Sequence, residues 1–473
     1  MAETDSYFES KQFKDILKRY EEAQQTGKAE FFDSSDLTDI AEYYYNNGKR
    51  AKATDILDEA IATFPGVALP LVLRARTALS DEHDVEKARH YASLVGNKLD
   101  LDYLYLEAEI MLTDHRDQEA DQFLREKMEQ IDEDDIPDYI LDVATLFTDY
   151  NNTELAQSWL DLSDESDLGD YQELEGRIAF GKGNYEKSER IFERLLDKDP
   201  YSGRLWNSLA SAQFMREHID DSISSSEFSI AINPNDADAL LNKANGLFRI
   251  GQYEKALDFY RRFSAICPDD ECGHLYQGNA LLSLDRPKEA LKQFLLAENK
   301  MDTDSPNLQE LYQNIAFTLS MLYKVNDALE YLDKAEMAAG SNLNEIMVMR
   351  GHIYLEHDLT KEAQQCFATA LANSNHSTDI FLKVSISIYE CGYTSIAYRM
   401  LKTLFDDATE APRDGYSYMA ICSRHLNQHD DFLRYLKKAC ENNPFEARLV
   451  MGDLFPSDIQ PQQYYDYALE HDI

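Results

Sequence analysis

The sequence predicts an all-α fold, a solenoid built from helical hairpins. Three observations support this fold class. First, Pro200, Pro234 and Pro268 follow one another at intervals of 34 residues. Second, GNYEKSERIFERLLDKDP (183–200) and GQYEKALDFYRRFSAICP (251–268) resemble each other and lie 68 residues apart, which is two such intervals. Third, apolar residues within an interval recur at spacings of three and four, which places them on one face of a helix.

Each interval is interpreted as two helices separated by a turn. In the unit that begins at Ala237, one apolar stripe precedes Gly251 and another follows it. The stripes consist of Leu240, Ala244 and Leu247, and of Ala256, Tyr260 and Phe263. Glycine at unit position 15 suits the turn because it tolerates a positive φ angle. Proline at position 32 ends the second helix because it has no backbone N–H to donate.

These positions resemble the consensus of the tetratricopeptide repeat, W-x2-L-G-x2-Y…A-x3-F…P. The matching stretches are WNSLASAQ from Trp206 and AFGKGNYEKSERIF before Pro200. The helices of a hairpin cross closely at positions 8 and 20, which therefore need small residues. Those positions carry Gly176 with Ser188, Ala210 with Ser222, Ala244 with Ala256, and Gly278 with Ala290. The resemblance implies a right-handed superhelical α-solenoid with about eight units in each turn.

The repeat register extends to about twelve units between roughly residues 34 and 446. A single hairpin cannot bury its apolar stripe, so neighbouring units must stack into a continuous core. No stretch remains for a separate catalytic domain. We expect an N-terminal helical cap at 1–33, acidic units at 34–168, consensus-like units at 169–304, C-terminal units at 305–446 and capping helices at 447–473.

The composition indicates a soluble, cytoplasmic protein. Acidic residues outnumber basic ones by 88 to 46, which gives a formal net charge of −42. Because such a charge repels nucleic acid and anionic membranes, neither is expected as a partner. The sequence shows no secretory signal and no run of 18 apolar residues that predicts membrane insertion. The six cysteines lack paired CxxC spacing and are interpreted as reduced thiols.

No pattern predicts catalysis, a metal site or a cofactor. The chain lacks the GxxxxGK[ST], HExxH and GxSxG motifs, and it has no GxGxxG after a strand. Three weaker metal candidates are interpreted instead as a helix end and two inter-repeat loops. They are Cys422 with His425 and His429, Cys267 with Cys272 and His274, and the acidic run from Asp132 to Asp138.

The resemblance implies that the first helix of each unit lines an inner, concave face. Unit positions 2, 5, 6, 9, 12 and 13 then point into a groove. In the middle of the chain these positions carry mainly amides and aromatic rings. The predicted peptide-binding groove consists of Arg204, Asn207, Phe214, Asn242, Asn245, Phe248, Arg249, Tyr276, Asn279 and Asn314.

A row of asparagines suits an extended peptide, because carboxamides both donate hydrogen bonds to a peptide backbone and accept them from it. Phe214, Phe248 and Tyr276 would supply apolar pockets. The row is similar to the asparagine ladder of peptide-binding tetratricopeptide proteins. An alternative is that these residues only solvate an open surface. A carboxylate clamp for chaperone C-termini is not expected, because Glu345 and Met349 stand where it needs basic residues.

Residues 101–170 form an acidic stretch with 22 acidic and three basic side chains, a net charge of −19. Its predicted inner-face carboxylates are Asp102, Glu109, Asp138, Asp142, Asp149 and Asp170. Such a stretch would attract basic segments of a partner and accelerate association in low salt. The alternative is that it serves only solubility.

Two functions therefore remain open. A non-catalytic scaffold or adaptor would bind a peptide or helical segment of another protein in its groove. Alternatively, the chain would be a regulatory or substrate-presenting subunit of an enzyme complex whose catalyst lies on another chain. The sequence identifies neither the partner nor the oligomeric state.

Overall fold

The computed structural model describes residues 7–8, 10–27, 30–163, 168–302, 305–338, 340, 342–375, 377–407, 413–456 and 459–471. Every regular element within these ranges is helical. None of these helices combines the length and apolar character needed to cross a membrane. The chain divides into two compact units, unit 1 from Met1 to Pro200 and unit 2 from Tyr201 to Ile473.

Unit 1 begins with helix α1 (Lys11–Thr26), which precedes five helical hairpins. The hairpins are α2 (Ser34–Asn46) with α3 (Arg50–Thr63), α4 (Ala68–Ser80) with α5 (Val85–Leu94), α6 (Leu101–Thr113) with α7 (Asp117–Met128), α8 (Ile136–Asp149) with α9 (Thr153–Leu160), and α10 (Gly169–Gly181) with α11 (Tyr185–Leu196). Phe13 and Tyr20 of α1 join the core of the first hairpin beside Ile40 and Tyr44. Helix α1 therefore covers apolar surface that the first hairpin would otherwise expose.

Unit 2 contains seven hairpins and a C-terminal cap. The hairpins are α12 (Gly203–Met215) with α13 (Ile219–Ile232), α14 (Ala237–Arg249) with α15 (Tyr253–Ile266), α16 (Glu271–Ser283) with α17 (Pro287–Glu298), α18 (Leu308–Met321) with α19 (Val325–Met337), α20 (Leu343–Glu356) with α21 (Thr360–Asn373), α22 (Thr378–Glu390) with α23 (Thr394–Asp407), and α24 (Tyr416–His425) with α25 (His429–Asn442). The cap consists of α26 (Pro444–Met451), 3-10 turns at Gly452–Leu454 and Pro461–Gln463, and α27 (Tyr464–His471). The described residues thus form twelve hairpins, which confirms the predicted all-α solenoid and the expected number of repeats.

The turn of every hairpin contains one residue in the left-handed backbone conformation. Four turns use glycine: Gly48, Gly183, Gly251 and Gly392. The other eight use His83, His115, Asn151, Glu217, Asp285, Tyr323, Asp358 and Asn427. Most residues with a side chain cost about 1–2 kcal/mol in this conformation, although asparagine and aspartate, which occupy four of these turns, adopt it more readily. The packing of the two helices must therefore impose the turn even where glycine is absent.

Glycines also mark the points where helices approach most closely. A Cβ atom added to Gly278 of α16 would lie 2.3 Å from the ring of Phe294 on α17, its hairpin partner. A Cβ atom on Gly246 of α14 would lie 2.6 Å from Ile223 of the preceding hairpin. Gly246, which costs helix propensity, is thus explained by a neighbouring helix rather than by a ligand.

The first helices of successive hairpins lie next to one another within each unit, for example α12 with α14 and α20 with α22. The second helices make their main contacts with the first helix of their own hairpin and of the next one. The first helices of several hairpins therefore share one surface, named here the inner surface. The apolar stripes behind it merge into continuous cores, such as the one that extends from Ala244 to Ile353.

Gly183→Ala should lower the free energy of unfolding by about 1 kcal/mol, because φ at Gly183 is +74° and an alanine is strained there. No heavy atom lies within 4 Å of the new Cβ, so the substitution tests backbone conformation alone. Gly169→Ala is the matched control, since Gly169 has equally open surroundings without a left-handed φ. Urea denaturation measures both variants, and equal stabilities would contradict the turn geometry.

Candidate functional site

Part of the predicted asparagine row is assembled on the inner surface of unit 2. Nδ2 of Asn314 on α18 donates to Oδ1 of Asn279 on α16 at 3.0 Å. Nδ2 of Asn242 on α14 lies 3.3 Å from the hydroxyl of Ser211 and 3.5 Å from the backbone oxygen of Asn207, both on α12. Asparagines of successive first helices therefore lie in contact, and they partly satisfy one another's hydrogen-bonding groups.

Two predicted asparagines are held by other side chains of the protein. Nδ2 of Asn207 donates to both carboxylate oxygens of Asp236 at 3.0 Å. Oδ1 of Asn245 accepts from the hydroxyl of Tyr260 at 2.8 Å. These bonds link first helices to the loop or helix that follows, so they contribute to the stacking of the hairpins.

The remaining predicted groove residues have different surroundings. Phe248 and Tyr276 are half-buried, and each packs against a tyrosine of α15. The guanidinium carbon of Arg249 lies 3.9 Å from the ring centre of Phe445 in the C-terminal cap. The last two residues lie on α12, Arg204 exposed and Phe214 half-buried.

A cavity of about 270 Å³ opens on the inner surface between α18, α20 and α22, the first helices of three successive hairpins. Its lining consists of Gln313, Phe317, Glu345, Val348, Met349, His352, Lys383, Ile386, Ser387 and Glu390. Most of these residues occupy the unit positions from which the groove was predicted. The groove residues predicted from the sequence lie mainly on α12 to α16, so the sequence pattern did not indicate this cavity.

Charged groups border the apolar lining of the cavity. The ammonium of Lys383 pairs with Glu345 on α20 and, at 3.0 Å, with Asp379 on its own helix. The carboxylate of Glu390 accepts from the hydroxyl of Tyr418 at 3.3 Å, and burial raises its pKa above that of a free glutamate. One cation therefore faces three carboxylates, so the border of the cavity is negative.

A histidine, a serine and a carboxylate also meet at the cavity wall. Nδ1 of His352 lies 3.0 Å from the hydroxyl of Ser387, 3.8 Å from the sulfur of Cys391 and 4.0 Å from the carboxylate of Glu390. A catalytic relay needs the nucleophile and the carboxylate on opposite nitrogens of the ring. All three groups here approach the same nitrogen. Burial also lowers the pKa of His352 and favours its neutral form at pH 7.

Two models of the tetratricopeptide repeat family match the chain, over residues 174–225 and 238–270. These stretches contain the hairpins whose turns, close crossings and shared inner surface are described above. The chain therefore contains tetratricopeptide repeats.

Two curated proteins are similar to part of this tetratricopeptide repeat protein. Protein O-mannosyl-transferase TMTC3 of Mus musculus is 23% identical over 171 residues, which are 34% of this chain and 19% of that protein. The Homo sapiens protein of the same name is 23% identical over 167 residues, 33% of this chain and 18% of that protein. The chain thus spans about a fifth of the length of the curated relatives that it matches.

Solved structures of MamA resemble about a third of the chain. MamA 41-end from Desulfovibrio magneticus RS-1 is 15% identical, covers 36% of this chain and 93% of its own, and has a TM-score of 0.33. Another MamA crystal structure is 18% identical, covers 34% of this chain and 92% of its own, and has a TM-score of 0.32.

One of the weaker metal candidates occupies packed positions in the tetratricopeptide repeat protein. Cys422 is fully buried, and burial raises the pKa of its thiol to about 12. The ring of His425 stacks on that of Tyr389, with 6.1 Å between the centroids. His429 begins the next helix, α25. Within the described ranges, no three His, Cys, Asp or Glu residues are placed to hold a metal ion.

Several carboxylates of the acidic stretch are paired inside unit 1. Glu109 forms an ion pair with Arg76, with 2.7 Å between Oε1 and Nη2. Asp149 pairs with an arginine of α10. Asp142 accepts from the hydroxyl of Tyr105 at 2.9 Å. The charge that unit 1 of the tetratricopeptide repeat protein offers to a partner is therefore smaller than the sequence count indicates.

Asp102→Asn should stabilise the tetratricopeptide repeat protein at pH 7, because burial raises the pKa of Asp102 and its ionisation opposes folding. The unfolded-state pKa of Asp102 is about 4, and below that pH the protonated side chain stabilises the fold. This contribution is lost as the pH rises through the raised pKa of the folded state. The gain in urea stability should therefore disappear near pH 3. Asp134→Asn, at an exposed loop position, removes the same charge as a control. Equal gains in both variants at pH 7 would contradict the assignment to burial.

Proposed function

We propose that this protein is a non-catalytic scaffold or adaptor that binds a segment of a partner protein on the inner surface of unit 2. The observation that carries the proposal is the cavity of about 270 Å³ between α18, α20 and α22. Three successive first helices converge there on an open, mainly apolar depression. Open apolar surface of this kind is typical of sites that a ligand or a partner covers.

The chemistry of the cavity favours a segment with one large apolar side chain beside a basic one. Phe317, Met349 and Ile386 are half-buried and would contact the apolar side chain. Glu390 has no lysine or arginine partner among the described residues. Its carboxylate is therefore available to an arginine or lysine of the ligand.

The Asn279–Asn314 pair would hold the ligand backbone beside the cavity. Their mutual hydrogen bond uses Nδ2 of Asn314 and Oδ1 of Asn279. Nδ2 of Asn279 and Oδ1 of Asn314 have no partner within the described ranges. The pair thus offers one donor and one acceptor, which an extended backbone matches.

The surroundings of the protein follow from its charge and its thiols. A net charge of −42 favours partners with basic segments and disfavours nucleic acid and anionic membranes. All six cysteines are free, which suits a reducing compartment, and we place the protein in the cytoplasm.

The second candidate role is that of a regulatory or substrate-presenting subunit of an enzyme complex. It is favoured by the similarity to relatives whose name is that of an O-mannosyl-transferase, a similarity confined to 19% of the mouse protein. In either role we propose that this chain supplies no catalytic residue, because the groups around His352 do not form a relay. A catalyst that co-purifies with the chain in constant ratio would favour the second role.

Selection of a random displayed peptide library on the purified full chain should enrich a large apolar residue next to arginine or lysine. Binding of an enriched peptide is then measured by fluorescence anisotropy. Glu390→Gln should weaken binding about fivefold, because it removes an attraction of roughly 1 kcal/mol. Lys383→Gln should strengthen binding, because it removes a like charge and releases Glu345 and Asp379.

The opposite signs separate recognition from damage to the fold, since each substitution removes one charge beside the same cavity. Glu362→Gln, on the exposed side of α21, is the control and should leave binding unchanged. The proposal fails if the enriched peptides lack an apolar residue. It also fails if Lys383→Gln weakens binding as much as Glu390→Gln does.

A further inference from the structure

Unit 2 contains contacts that a stack of hairpins does not require. In such a stack each hairpin contacts its neighbours, so close contacts are local in sequence. Yet Nη1 of Arg448 on α26 donates to the backbone oxygen of Ile250 at 2.7 Å, across 198 positions. Phe445 of the same helix lies under the guanidinium of Arg249, 3.9 Å away. The C-terminal cap thus reaches the turn of the second hairpin of its own unit.

Charged groups extend this contact to the first hairpin of unit 2. Glu217, the left-handed residue in the turn between α12 and α13, pairs with Arg413 across 196 positions. It also lies 3.7 Å from Arg249. The side chains of Glu217 and Arg413 are 41% and 59% exposed, so dissolved salt reaches the pair. A cleft of about 140 Å³ remains between the two surfaces, which shows that the contact is not densely packed.

The second helix of the first hairpin, α13, gains little from apolar burial, and a further contact matters there for that reason. The buried face of α13 consists of serines rather than of large apolar residues. These serines are Ser222, Ser225, Ser226 and Ser229. Ser222 donates to the backbone oxygen of Ala210 at 2.8 Å and Ser225 to Gln213 at 2.7 Å. Such bonds satisfy the hydroxyls but bury little apolar surface, the main source of stacking energy.

We propose that these contacts form a salt-sensitive latch that joins the first two hairpins of unit 2 to its C-terminal cap and to Arg413, just before its last hairpin, and that opening the latch admits a partner segment to the inner surface. The latch consists of Glu217, Arg249 and Ile250 on one side and Arg413, Phe445 and Arg448 on the other. The existence of the latch is inferred from these contacts alone, whereas its role in admitting a segment rests on the proposed function.

The composition of the latch suits a reversible closure. Exposed ion pairs are weak and are screened by salt. The cation–π contact and the charged hydrogen bond are stronger, but each depends on one arginine. Arg249 belongs to the groove predicted from the sequence, and the closed latch occupies its guanidinium. Opening therefore releases a groove residue as well as the surface beside it.

Hydrogen–deuterium exchange of the full chain, read by mass spectrometry, tests the latch. Glu217→Arg reverses the charge that faces Arg413 and Arg249, and we expect about threefold faster exchange in α26. Raising NaCl to about 0.5 M should have the same effect on the wild type. Glu254→Arg is the matched control, because Glu254 pairs at 3.6 Å with Arg286 of the adjacent hairpin and not with the cap. It should leave exchange in α26 unchanged.

The double variant Glu217→Arg with Arg413→Glu should restore part of the slow exchange in α26. Unchanged exchange in α26 of the Glu217→Arg protein would overturn the latch, and so would an equal response to Glu254→Arg.

The regulatory role is tested with the peptide that the library selection enriches. The open Glu217→Arg variant should bind this peptide with a higher association rate than the wild type does. Faster exchange without faster association would refute the regulatory role and leave the latch intact. If the library enriches no peptide, the proposed function fails, while the exchange measurements still decide whether the latch exists.

Discussion

Close crossing of the two helices within each hairpin is the constraint on which the other features depend. At Gly278 the approach is so tight that one added carbon would lie 2.3 Å from Phe294. Helices this close are joined by a short turn. Each such turn contains one residue with a left-handed backbone conformation, even where that residue is Glu217 or Tyr323. The crossing also leaves an apolar stripe that only another hairpin covers, so stacking follows. The inner surface is the side on which the first helices of the stacked hairpins meet.

Local signals in the sequence were sufficient to predict this part of the structure. The spacing of Pro200, Pro234 and Pro268 and the apolar stripes are properties of single hairpins, so they identify the hairpins without knowledge of the fold. Glycine was a weaker guide, because eight of the twelve turns in the described residues use another residue type. Tyr323, for example, takes the left-handed conformation in a turn that its sequence does not mark. Tertiary packing overrides conformational preference there, and a single sequence does not reveal that.

The candidate site was harder to predict, because the register gives positions on a helix but not what a side chain contacts. Asn207 was expected to face a ligand, but Asp236 holds its carboxamide. Asp236 precedes α14 and accepts from the backbone N–H of Ala239, an N-cap role that its position before the helix indicates. The sequence indicates only that Met349 is unsuited to a carboxylate clamp, yet this residue lines the cavity. Its role depends on side chains of two other hairpins, among them Ile386.

The repeat register predicts the latch even less well, because the latch joins residues as far as 198 positions apart in the sequence. The place where α26 meets Ile250 depends on small rotations between hairpins, which add up over the seven hairpins of unit 2. The same summation couples the latch to the cavity, because α18, α20 and α22 lie between the two halves of the latch in the chain. A ligand that changes the angle between these helices also changes the separation of Arg413 and Glu217. If opening the latch raises the affinity for the ligand by some factor, thermodynamic linkage requires that bound ligand shift the latch toward its open form by the same factor. A weak, salt-sensitive closure suits such a balance, since a tightly packed one would hold unit 2 closed against the binding energy of a short segment.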